Sequence, residues 1–129
     1  MSLRRAHFWV GLAAFAGFIA TGVFLRLRLT ELASHNDSIR WMFRSNHIYI
    51  LMSGLVNLAW SRDGTAAAGW RGRVRMVGSV LVLGAPLVLF AAFLREPGNA
   101  DPERTLTKVG VIALAIGTLA RVFCGRTKT

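Results

Sequence analysis

Acidic residues are scarce in this chain: six Asp and Glu stand against sixteen Lys and Arg, for a net charge of +10. None of the six falls inside the long apolar runs. That argues against a proton-coupled small exporter, which needs a titratable carboxylate in its pathway. Cysteine is almost missing. The lone Cys124 can form no internal disulfide, and there is no His-x3-His to suggest a copper or zinc site. A nucleophile–base–orienter set, a glycine-rich phosphate loop and paired membrane carboxylates are also absent, so no catalytic residue is assigned. In a soluble domain, this charge would suggest a nucleic-acid partner. Here no basic helix or RNA-binding motif accompanies it. The basic residues gather at the ends of apolar runs, where they hold loops on one side and touch anionic headgroups. Nucleic acid is therefore not expected as a partner.

Long apolar runs are what the chain has in plenty. Hydrophobic residues make up 53% of it and fall in blocks, not in an amphipathic rhythm. The windows 7–27, 38–60, 76–94 and 108–124 each come close to the roughly 20 residues that a helix needs to cross a bilayer. The period-2 alternation of a membrane barrel is absent. The expected fold is all-α, an integral membrane four-helix transmembrane bundle, with residues 1–129 forming one domain.

Met1-Ser-Leu-Arg-Arg before an apolar run resembles a signal peptide, but Phe8–Leu25 is longer than a signal core and no small-x-small cleavage site follows. It reads as the first membrane helix. Residues 26–37 form the first loop, whose charged, leucine-bearing start could continue helix 1. His35-Asn36-Asp37-Ser38 reads as a turn with an N-cap, so helix 2 should start near Ser38. Residues 61–75 read as a flexible basic loop, and residues 95–104 as a polar loop broken by two prolines. Pro86 should kink helix 3. Ala13, Gly17 and Ala20 on helix 1, and Gly110, Ala113, Gly117 and Ala120 on helix 4, read as close-packing strips. Nine Lys and Arg lie on one side of the membrane (Arg4, Arg5, Arg62, Arg71, Arg73, Arg75, Arg121, Arg126, Lys128) and seven on the other. That places both termini in the cytoplasm of a bacterial-type inner membrane. Trp9, Trp41, Trp60 and Trp70 all fall near proposed boundaries.

Helix 2 is the one span rich in polar groups. Asn46, Tyr49, Ser53 and Asn57, spaced 3, 4 and 4, line one stripe, while Arg40, Arg44 and His47 lie on another face. With no water in hydrocarbon, the Asn stripe should face protein. It would serve either interhelical hydrogen bonding or a ligand or quinone pocket. His47 could ligate haem b or a metal, shuttle protons or bond a neighbouring helix, and only His35 lies on the same side to join it. Arg40 and Arg44 could clamp a phosphate or carboxylate, or snorkel and pair with Glu31, Asp37 or Glu96. Glu96, at the end of helix 3, is expected to meet Arg44 or His47. The segment Arg40-x3-Arg44-x-Asn46 resembles the Arg- and Asn-bearing helix of the membrane-bound glutathione and eicosanoid enzymes, also short four-helix chains, but lacks the acidic residue that follows their Asn. That resemblance implies a small oligomeric transferase-like fold with an anion site between subunits. The residues themselves favour a non-enzymatic subunit or scaffold, within a homo-oligomer or among other membrane subunits.

Overall fold

A computed structural model describes residues 2–32, 37–63, 68–99 and 103–125. Among them are four helices and no strand: α1 Leu3–Leu32, α2 Asp37–Ser61, α3 Gly69–Arg95 and α4 Thr105–Gly125. The bundle is all-α, as the apolar blocks imply. Helix α1 continues through the charged, leucine-bearing stretch after Leu25. Asp37 opens α2 one residue early, where a carboxylate favours the positive end of the helix dipole. The rest of that turn, His35 included, lies outside the described residues. Helix α3 starts at Gly69, so Trp70–Arg75 is helical and not a flexible loop. Its start is set by Gly69, whose φ of +66° suits a residue without a Cβ.

Consecutive helices run antiparallel. α1 pairs with α2 and α3 with α4, and the two hairpins join mainly through α2 and α3. α1 also touches α3, whereas the α1 and α4 backbones do not approach each other. The middle of the bundle is therefore α2 and α3. Glycines allow close approach between the paired helices. A Cβ on Gly11 would sit 2.8 Å from the Leu58 side chain, and one on Gly117 would sit 2.6 Å from the Gly78 carbonyl. The α4 strip is confirmed at Gly110 and Gly117, both buried. The α1 strip is not: Ala13 and Ala20 are exposed, and the packed face is Gly11, Ala14, Phe18, Thr21 and Leu25, spaced 3, 4, 3 and 4. Small size alone did not reveal which face turned inward. Leu25, Phe43, Ile50, Leu89 and Phe93 form the apolar core, with Phe18, Ile39, Tyr49 and Val111 against it.

Among the described residues, three helices are long and apolar enough to cross a membrane, within Leu3–Arg28, Gly69–Arg95 and Thr105–Cys124. Their outer faces agree, because Leu87 and Phe123 are 74% and 72% exposed. Such surface is costly in water and at home in lipid. The expectation of four apolar spans needs one correction. α2 has the length, 25 residues or about 37 Å at 1.5 Å per residue. It lacks the hydropathy of the others because Arg40, Arg44, Asn46, His47 and Asn57 interrupt it. Its central place, with polar atoms turned toward protein, is the arrangement a polar span requires.

Candidate functional site

The polar side chains collect at two ends of the bundle. The first cluster starts from Pro86. Proline has no N–H, so the carbonyl four residues earlier, on Val82, loses its helix donor. Asn57 replaces it: its Nδ2 donates to Val82 O at 3.0 Å and to Ser53 O at 2.9 Å. Both amide hydrogens are then used, which turns Oδ1 toward His7 Nδ1, 2.7 Å away. His7 must therefore donate from Nδ1 and accept at Nε2. The donor there is Arg121 Nη1, also at 2.7 Å, so the imidazole is neutral with its hydrogen on Nδ1. Arg121 donates further to Ser79 Oγ at 2.8 Å and to Asp63 Oδ2 at 3.3 Å, and its guanidinium lies 4.4 Å over the Trp60 ring. Arg75 meets the same Asp63 oxygen at 2.7 Å. All four helices contribute, and His7, Asn57, Ser79 and Arg121 are buried.

The second cluster sits at the opposite end. Glu96 closes the C-terminus of α3 and is buried. Its Oε1 accepts the Thr107 backbone N–H at 2.9 Å, so the carboxylate caps the first turn of α4. Its Oε2 accepts from the Thr107 hydroxyl and, at 3.4 Å, from Asn46 Nδ2. Asn46 Oδ1 accepts from Arg104 Nη2 at 2.7 Å, and the same Arg104 nitrogen donates to Ser45 Oγ at 2.7 Å. Glu96 touches neither Arg44, which is exposed, nor His47. The expected pairing is corrected to Asn46 and Thr107. Proximity in depth was right, but Arg44 and His47 lie on other faces of α2.

His47 belongs to neither cluster. Its ring stacks on Phe18, centroids 4.2 Å apart, and Nδ1 lies 2.8 Å from Thr21 Oγ1, which itself donates to the Phe18 carbonyl. His7 and His47 engage different levels of the bundle and form no pair. Arg40 pairs with Asp37 at 3.2 Å on an exposed surface. Ser53 is buried and donates to Ile50 O in its own helix. Tyr49 is half-buried against the core. Among the described residues, no group of three or more His, Cys, Asp and Glu could hold a metal ion. The structure thus brings Asn46 to Glu96 and leaves Arg40, Arg44 and His47 apart from them.

Sequence reasoning missed His7, Asp63, Arg75, Ser79, Arg104, Thr107 and Arg121. Two signals were readable. Arg121 lies inside the fourth span, where an arginine must find partners. Pro86 announces a stranded carbonyl that some donor must satisfy. Comparison with protein families, with curated proteins and with solved structures gives no match to this chain.

Proposed function

We propose that this chain is a non-catalytic accessory subunit or scaffold of a membrane, associating with copies of itself or with a larger membrane complex. One observation carries the reading. Asn46 and Asn57 are fully buried, and their side chains bond to residues beyond their own helix, not into an open cavity. Groups committed to tying the bundle together are not free to bind a substrate. The surface left outside is apolar and suits lipid or another membrane helix. The nine-to-seven distribution of basic residues supports both termini lying in the cytoplasm of a bacterial-type inner membrane. Purification in mild detergent, with mass measurement of the intact particle, tests this. The expected result is an oligomer or complex of fixed stoichiometry. A lone 14.1 kDa chain that carries a bound cofactor would contradict it.

A second reading, a carrier of a lipid-soluble cofactor, is favoured by a cleft of about 240 Å³ lined by Ala20, Thr21, Phe24, Phe43, Phe90, Phe93 and Leu94. Walls of this kind, four aromatic rings with Ala20 and Leu94, suit a quinone ring. An absorption spectrum and an organic extract of the same preparation separate the two. Haem absorption or a stoichiometric quinone would favour this second reading over the first.

A further inference from the structure

Between α2 and α4, at the Glu96 end of the bundle, lies a cleft of about 290 Å³ lined by Tyr49, Arg104, Thr107, Lys108, Val111 and Ile112. Its walls divide by depth. Arg104 and Lys108 flank the first turn of α4, where the apolar span begins, and Val111 and Ile112 follow one to two turns further in. We propose that this cleft is a binding site for an anionic phospholipid, with its phosphate held by Arg104 and Lys108 and an acyl chain running along Val111 and Ile112.

Charge, orientation and length support this occupant. Among the described residues, neither Arg104 nor Lys108 has a carboxylate within ion-pair distance, and Glu96, the carboxylate bonded to Thr107 in the cleft wall, is buried behind it. Arg104 is held in place beforehand: Ser45 Oγ and Asn46 Oδ1 fix one guanidinium nitrogen at 2.7 Å each. A guanidinium so held loses little freedom on meeting a phosphate, and with Nη2 committed it is Nη1 that is left to donate to one. The apolar part continues beyond the cleft. Ile112, Ile116 and Leu119, spaced 4 and 3, form an outward stripe, each slightly more than half exposed. From Lys108 to Leu119 the helix rises about 16 Å, close to half of a hydrocarbon core of about 30 Å. One leaflet's acyl chain therefore matches the stripe from headgroup to bilayer midplane. A soluble anion would use the two cations and leave the stripe idle.

The test uses the full chain in a neutral detergent, with phosphatidylglycerol, phosphatidylcholine of the same chains, or inorganic phosphate added in turn. Bound lipid is counted by native mass spectrometry, and thermal stability is followed in parallel. Phosphatidylglycerol should bind and stabilise in preference to phosphatidylcholine, and inorganic phosphate should do neither. Lys108→Gln should weaken phosphatidylglycerol binding about five-fold, the worth of one basic residue at an anionic surface. Arg73→Gln, an exposed change at the far end of the bundle, should leave it unchanged. Lys108 is itself exposed, so its loss leaves the fold intact. Equal binding of the two lipids, an unchanged Lys108→Gln, or an equal effect of inorganic phosphate would overturn the proposal.

Discussion

Asn57→Leu should be among the most destabilising single changes in this protein, lowering the stability of the bundle in detergent by about 2 to 5 kcal/mol. Leucine keeps a similar volume, so no cavity forms. What disappears is the set of bonds to Val82 O, Ser53 O and His7 Nδ1. A membrane hydrogen bond is worth about 0.6 kcal/mol on average and about 1.7 at most, and three are lost together. The Val82 carbonyl cannot recover a helix donor, because Pro86 offers none. Ser53→Ala is the natural comparison. Ser53 is as buried as Asn57, but its hydroxyl bonds only to Ile50 O in its own helix, so the change should cost about 0.5 kcal/mol or less. Circular dichroism melts of the two variants beside the parent check the ranking. An Asn57→Leu protein as stable as the parent would mean that the amide ties nothing.

The same residues show why part of this structure was readable in advance. Four helices follow from apolar blocks of bilayer length, which no soluble fold would tolerate. The inward stripe Asn46–Tyr49–Ser53–Asn57 follows from helical spacing and the lack of water in hydrocarbon; Asn46, Ser53 and Asn57 are buried, and Tyr49 is half-buried against the core. Their partners were less legible. Which of many residues meets Asn57 depends on how the hairpins dock, and no local pattern carries that. Arg121 was counted among the boundary charges by position, yet it is 5% exposed and lies against Trp60, His7 and Asp63. Trp60, likewise, is not simply a boundary ring, because its face carries the arginine. Glu96 sits at the end of a span in the sequence. It is buried in the fold because Thr107, in the first turn of α4, lies against its carboxylate.

Glu96→Leu should also have a large effect, about 2 to 4 kcal/mol, because a buried donor left without an acceptor costs about 1 to 3 kcal/mol. Two donors are stranded, the Thr107 backbone N–H and Asn46 Nδ2, whereas the Thr107 hydroxyl keeps Asn46 Oδ1 as an acceptor 2.7 Å away. Glu96→Gln keeps a carbonyl oxygen for the Thr107 N–H, so it should be milder, about 1 kcal/mol. Adding Arg44→Gln should give a purely additive result, since exposed Arg44 does not touch Glu96 and separate sites add within about 0.5 kcal/mol. Thermal melts of the single and double variants decide this. A loss in the double variant clearly smaller than the sum would restore the pairing that the structure replaces.

The most direct test of the central claim, that the polar groups of α2 tie the helices together, is a double-mutant cycle between His7 and Asn57. The residues are fifty apart in sequence and joined by one 2.7 Å contact between α1 and α2. Unfolding free energies would be measured for His7→Leu, Asn57→Leu and the pair, in the same detergent and by the same probe. Contacting residues of one network couple by about 0.5 to 3 kcal/mol. A coupling in that range, with the second change costing less once the first is made, is the predicted result. Full additivity would contradict it and mean that α1 and α2 are not joined through this bond.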